Sequence, residues 1–98
     1  MRFALVVPAL NEEQAIAGTL RRCLDARAKA VANSPIDEMV IVFVNDGSTD
    51  RTQEIVDQPE FNEVVKVRFE KNRGYGAAIK AGWQATDCEL VGFIDGDG

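Results

Sequence analysis

Four short runs rich in Val, Ile and Phe, namely Phe3 to Val7, Met39 to Val44, Val64 to Phe69 and Leu90 to Ile94, are separated by three stretches of helical character. This βαβαβαβ rhythm restricts the chain to an α/β fold with a mainly parallel sheet, because parallel strands need a crossover and the helices supply it. The first, second and fourth runs are apolar at almost every position, as in strands covered on both faces. The third alternates, with Val65, Val67 and Phe69 on one side and Lys66, Arg68 and Glu70 on the other, so it is expected at an edge. Right-handed crossovers then favour the strand order 3-2-1-4 in a three-layer architecture, with the topological switch between strands one and four. Ligands in such sheets bind beyond the C-terminal strand ends at that switch. At 98 residues the chain has room for one domain.

The helices follow from periodicity and their punctuation. Ile16, Leu20, Cys23, Leu24 and Ala28 recur at helical spacing behind Asn11, which is expected to cap the helix with Glu12 and Glu13 in its first turn. That helix should run to about Ala32 and stop at Asn33-Ser34-Pro35. A short second helix is expected from Asp50, with Gln53 completing a capping box, to a point before Pro59. Ile55 and Val56 are its expected sheet contacts. The third opens at Gly74 with a face of small residues, Ala78, Ala81 and Gly82, and Trp83 is expected to anchor the core.

Charge and composition remove several function classes. A net charge of −5 argues against a general nucleic-acid binder, which needs a basic stripe. No run approaches the roughly 20 apolar residues of a membrane-spanning helix, and Met1-Arg2-Phe3 leads into a strand without a signal-peptide pattern, so a cytoplasmic location is expected. Cys23 and Cys88 belong to no C-x-x-C pattern and read as reduced thiols packed as small hydrophobes. Histidine is absent, which removes Ser-His-Asp and Cys-His catalysis and His-ligated zinc. Carboxylates remain as the ionisable groups for chemistry near neutral pH.

Three polar clusters fall at strand ends: Pro8-Ala9-Leu10-Asn11-Glu12, Asn45-Asp46-Gly47-Ser48 and Asp95-Gly96-Asp97. Asp46 follows an apolar run, where a carboxylate can accept hydrogen bonds from a nucleobase or ribose, or simply serve the turn that Gly47 and Ser48 permit. Asp95 and Asp97 are either a solvated acidic turn or a pair whose mutual repulsion is relieved by a divalent cation. Pro8 is read as lying just past its strand, where a missing N–H does no harm. Ser48 and Asp50 read as structural. The G-x-G-x-x of Gly74 to Ala78 follows the edge strand rather than the first, which is the wrong place for a dinucleotide fingerprint. Arg73 or Lys71 is expected to lean toward phosphate or base.

Taken together, Val7-Pro8-Ala9-Leu10-Asn11-Glu12-Glu13, Val44-Asn45-Asp46-Gly47-Ser48-Thr49-Asp50, Asn72-Arg73-Gly74-Tyr75-Gly76-Ala77-Ala78 and Asp95-Gly96-Asp97 resemble the nucleotide-sugar-binding half of family 2 glycosyltransferases. The resemblance covers essentially the whole chain, and its spacing looks most like the branch that acts on polyprenyl or dolichyl phosphates. It implies a Rossmann-like half of a GT-A fold, with a nucleotide site formed by Pro8, Ala9, Leu10, Asn11, Glu12, Val44, Asp46, Arg73 and Asp95. Asp46 would meet the base, and Asp95 and Asp97 would form the D-x-D that positions Mg²⁺ or Mn²⁺ on the diphosphate. The implied reaction is metal-dependent transfer from a UDP- or GDP-sugar to an acceptor such as a polyprenyl phosphate or glycan. Leu10 stands where many members carry an aromatic residue, and Asn45 where many carry Asp.

Family members continue past the D-x-D into an acceptor-binding half that supplies the general base. Residues 1–98 therefore correspond to the donor part, the base is expected beyond Gly98, and these residues alone are expected to bind donor at most. Any membrane association would belong to the missing regions. The alternative is a non-catalytic nucleotide-binding or interaction module, with the apolar fourth strand pairing with a second copy as a homodimer. A response-regulator receiver would need an acidic pair where Pro8-Ala9-Leu10 stands, and a sugar nucleotidyltransferase a glycine-rich loop there.

Overall fold

A computed structural model describes residues 1–94. Strands β1 (Arg2–Ala9), β2 (Glu38–Asp46), β3 (Val65–Phe69) and β4 (Leu90–Phe93) form one sheet in the order β3-β2-β1-β4. Every neighbouring pair is parallel, with Val7 opposite Phe43, Val44 opposite Val67 and Val6 opposite Phe93. The expected order and the edge position of the alternating third strand are both present. Helices α1 (Ile16–Asn33), α2 (Thr52–Val56) and α3 (Tyr75–Gln84) connect the strands, with a 3-10 turn at Pro59–Phe61.

The two faces of the sheet carry separate cores. On the α1 and α2 side, Val7, Ile16, Leu20, Cys23, Ile41, Phe43, Val56 and Phe61 pack together, Ile55 lying against them. On the α3 side the cluster is Val6, Val42, Val44, Phe69 and Ala78. Gly82 lets α3 approach closely, since a Cβ there would stand 2.6 Å from Val6 Cγ1 and 3.1 Å from Val44 Cγ2. Trp83 is not the expected anchor and is 44% exposed. One residue past Gly82 is a rotation of about 100° around the helix, so the face that puts Gly82 on the sheet turns the indole outward. Its N–H donates to the Cys88 carbonyl at 3.0 Å.

Three other local expectations are corrected. Asn11 does not cap α1, which starts at Ile16 with Ala15 at the N-cap position and no acidic residue in its first turn. Residues 11–15 instead form a loop closed by hydrogen bonds from the Ala15 and Ile16 N–H groups to the Glu12 carbonyl. At α2, Asp50 accepts from the Thr52 N–H, but Gln53 turns to Asn45 and Asp57 rather than completing a capping box. Pro8 lies inside β1, opposite Val44, rather than past its end. The Val6 carbonyl accepts from Ile94 N–H at 3.1 Å, so alternation turns the Pro8 nitrogen toward the β4 side as well. The missing N–H therefore costs the β4 ladder at its end and leaves the β2 ladder intact.

β4 pairs with β1, and Leu90 and Phe93 on it are exposed. No helix among the described residues is long and apolar enough to cross a membrane.

Candidate functional site

Because all four strands are parallel, their C-terminal ends form one rim, and the loops that follow β1, β2 and β3 meet there. Residues 10–15 and 47–51 are joined directly. The Asn11 N–H donates to Ser48 Oγ at 2.9 Å, and Asn11 Oδ1 accepts from the Thr49 N–H at 2.8 Å. Alongside, the Glu12 N–H donates to Thr52 Oγ1 at 3.0 Å and the Glu13 N–H to Asp50 Oδ2 at 3.2 Å. Asn11 reaches this geometry through a left-handed backbone, φ 54°.

The second loop is braced from below by Asn45, a fully buried side chain. Its Oδ1 accepts from the Ser48 N–H at 2.8 Å and its Nδ2 donates to Gln53 Oε1 at 2.9 Å. Asn45 is thus turned into the fold. Gly47, with φ 82°, lies so close to the third loop that a Cβ would stand 2.5 Å from the Asn72 nitrogen and 2.6 Å from the Lys71 carbonyl carbon. Only glycine meets both requirements.

The third loop is held by Asp46. This residue is 6% exposed, and its carboxylate accepts from the Arg73 N–H at 2.7 Å and the Gly74 N–H at 3.1 Å. Gly74 occupies the N-cap position of α3 with φ 96°. The Arg73 guanidinium stacks 4.5 Å above the Phe69 ring. One residue past Gly74, Tyr75 meets Phe93 of β4 edge to face at 5.6 Å. The segment from Arg73 to Tyr75 therefore crosses the rim from the β3 end to the β4 end.

Asp50 carries a perturbed charge. Partial desolvation pushes its carboxyl up, but hydrogen bonds from the Thr52 hydroxyl at 2.5 Å, the Thr52 N–H and the Glu13 N–H outweigh it and hold the group below its ordinary value. Every buried side-chain nitrogen and oxygen among the described residues has a partner.

The residues singled out from sequence are distributed as follows. Leu10, Asn11 and Arg73 are exposed at the rim, Glu12 is half-buried, and Pro8, Ala9 and Asp46 form its floor. Val44 differs: its side chain is fully buried against α3, so it offers a ligand no side-chain surface. Asp95 and Asp97 lie outside the described residues, following Ile94 in sequence. Among the described residues no group of three or more His, Cys, Asp or Glu side chains is placed to hold a metal ion. The residues sequence reading missed at the rim are Thr49 and Thr52, which clasp the first loop.

Two open recesses lie elsewhere. One of about 850 Å³ is at the opposite end of the sheet, where Arg2 is engaged by Glu38 and Asp87 and Arg27 by Glu63. The other, about 790 Å³, runs along Ile79, Trp83 and Val91. Neither collects the polar groups that converge at the rim.

Comparison with known proteins bears on this rim. The profile of the family described as Glycosyl transferase family 2 matches residues 4–98. The chain is 37% identical over 98 residues to a dolichyl-phosphate beta-glucosyltransferase of Trichomonas vaginalis, covering 98% of this chain and 30% of that protein. S. aureus TarS 1-349, solved in complex with UDP-GlcNAc, is similar with a TM-score of 0.76 at 31% identity, over 99% of this chain and 27% of that one. A mannosyltransferase from Pyrobaculum calidifontis, solved with GDP-Man and Mn²⁺, is similar with a TM-score of 0.70 at 25% identity, over 98% of this chain and 27% of that one. The chain spans 27% to 30% of the length of these proteins.

Proposed function

Since the chain belongs to glycosyl transferase family 2, we propose that residues 1–98 are the nucleotide-sugar-binding part of a GT-A transferase that passes a sugar from a UDP- or GDP-sugar to a polyprenyl phosphate. The observation that carries this reading is the convergence of three mutually bonded loops at the C-terminal rim, where an α/β sheet binds its ligand. The acceptor class is taken from the dolichyl-phosphate beta-glucosyltransferase relative. The donor class is taken from the UDP-GlcNAc and GDP-Man complexes of similar proteins.

In this reading Asp46 receives the base. Each carboxylate oxygen offers two lone-pair directions, so the two backbone donors leave acceptor capacity for a base N–H, while fixing the carboxylate's orientation. Pro8, Ala9 and Leu10 wall the nucleoside, Glu12 faces the ribose, and the Arg73 guanidinium, stacked on Phe69 at the β3 end of the rim, lies on the base side of the site. Asp95 and Asp97 would hold Mg²⁺ or Mn²⁺, and their hard oxygen donors suit either ion. Bound there, the cation would neutralise charge on the departing nucleoside diphosphate. No described residue is assigned as general base, and that role is placed beyond Gly98.

Calorimetric titration of UDP and GDP, with and without Mn²⁺, tests the reading. Binding should require the metal and weaken by about tenfold or more in Asp97→Ala, the scale of one lost charge-assisted interaction. Binding that needs no metal and is unchanged in Asp97→Ala would remove the D-x-D assignment. Sugar transfer by the 98-residue chain alone would show that the base lies within it.

A further inference from the structure

Asn11 is the one non-glycine residue among the described residues with a left-handed backbone. Asparagine tolerates that conformation better than most side chains, yet nothing in the start of α1 calls for it, since the helix begins five residues later. What the conformation produces is a two-way link. Asn11 donates its N–H to Ser48 Oγ and accepts the Thr49 N–H on Oδ1, so one residue grips two consecutive residues of the neighbouring loop. Glu12 and Glu13 donate their backbone N–H groups across the same gap.

We infer that Asn11 is a positioning residue for the nucleoside: a latch that sets the separation between the β1–α1 loop and the β2–α2 loop. The inference rests on the donor-binding reading given above. Leu10 and Glu12 flank Asn11 on one wall, while Asp46 and Gly47 lead directly into Ser48 and Thr49 on the other. A base and ribose held between these walls need a fixed gap, because contacts to both sides must form at once. Asn11 itself is exposed and belongs to neither core cluster, so its link is not a by-product of packing. The strained backbone persists because the two loops over-determine it.

Two variants separate the latch from the backbone it strains. Asn11→Gly keeps the left-handed conformation at no steric cost and removes the Oδ1 acceptor. Ser48→Ala removes the other acceptor and leaves Asn11 in place. The probe is UDP with Mn²⁺, read as a dissociation constant by calorimetry, with the melting midpoint of each variant measured alongside. Asn11→Gly should weaken UDP about tenfold and Ser48→Ala by a smaller factor, the scale of one or two hydrogen bonds lost, with midpoints near that of the parent. A residue that only stabilised the fold would lower the midpoint and leave the dissociation constant of the folded protein unchanged, and that result in both variants overturns the latch. Should the parent chain bind neither UDP nor GDP, the donor-binding reading fails first and the latch with it.

Discussion

The carboxylate of Asp46 holds the backbone N–H of Arg73 at 2.7 Å, tying the end of β2 to the entry of α3 across 27 residues of sequence. With the Gly74 N–H also bound, this single buried side chain satisfies two donors. Asp46→Ala leaves both without their acceptor and should destabilise the chain by about 1–3 kcal/mol in urea unfolding. Asp46→Asn retains one acceptor oxygen and should fall between the two. A stability for Asp46→Ala equal to the parent would mean that the carboxylate does not anchor the third loop.

Gly82 and Gly47, both at close approaches, should respond differently to alanine. At Gly82 the added methyl meets the side-chain methyls of Val6 and Val44, an overpacking that costs about 1–3 kcal/mol and that Val6→Ala should partly relieve in a double variant. At Gly47 the added methyl meets backbone atoms of Lys71 and Asn72, and φ is 82°. No side-chain truncation can relieve that clash. Thermal unfolding of the set should therefore show coupling for Gly82→Ala with Val6→Ala and a larger, uncompensated loss for Gly47→Ala.

Acid should weaken the second loop. The hydrogen bonds at Asp50 keep its folded-state value below the ordinary 3.8, so the ionised form contributes stability above the unfolded value, and that contribution is lost as pH falls through the folded one. Asp50→Asn keeps an acceptor for Thr52 and does not titrate. Below about pH 4 its unfolding midpoint should change less steeply with pH than that of the parent. Parallel curves would exclude Asp50 from the acid response.

Thiol chemistry should report the core on the α1 side. Cys23 is buried beside Leu20 and Val64, and burial pushes its thiol up from the ordinary value. Reaction with a disulfide reagent at neutral pH should be slow in the native state and rapid in denaturant. Fast native-state labelling of Cys23 would mean that α1 opens from the sheet.

Much of this arrangement is legible in the sequence where a pattern acts along one element. The alternation of Val65, Val67 and Phe69 with Lys66 and Arg68 marks one edge strand, and the first two apolar runs mark the covered centre, whereas the fourth run, expected to be covered on both faces, forms the other edge with Leu90 and Phe93 exposed. Asp46, Arg73 and the Pro8 to Glu12 segment gather at one rim because parallel strands end together. What is not legible is set by contacts between segments far apart in the chain. Asn11 followed by two acidic residues has the local signature of a helix cap, and only the Ser48 and Thr49 partners, 37 and 38 residues away, show what it binds instead. Trp83 has the composition of a core residue, but the rotation of α3 is fixed by Ala78 and Gly82 against β1 and β2. Gln53 matches a capping box, yet the buried Asn45 amide needs an acceptor and takes it.

Whether a nucleoside diphosphate sits on the rim formed by these three loops is read most directly by amide chemical-shift mapping during titration with UDP or GDP and Mg²⁺, which avoids paramagnetic broadening. Shifts should concentrate at Leu10 to Glu13, Asp46 to Thr49 and Arg73 to Gly74, with residues at the far end of the sheet, such as Met39 and Thr86, unmoved. Shifts centred on the Met39 and Thr86 end, with the three loops silent, would contradict that placement.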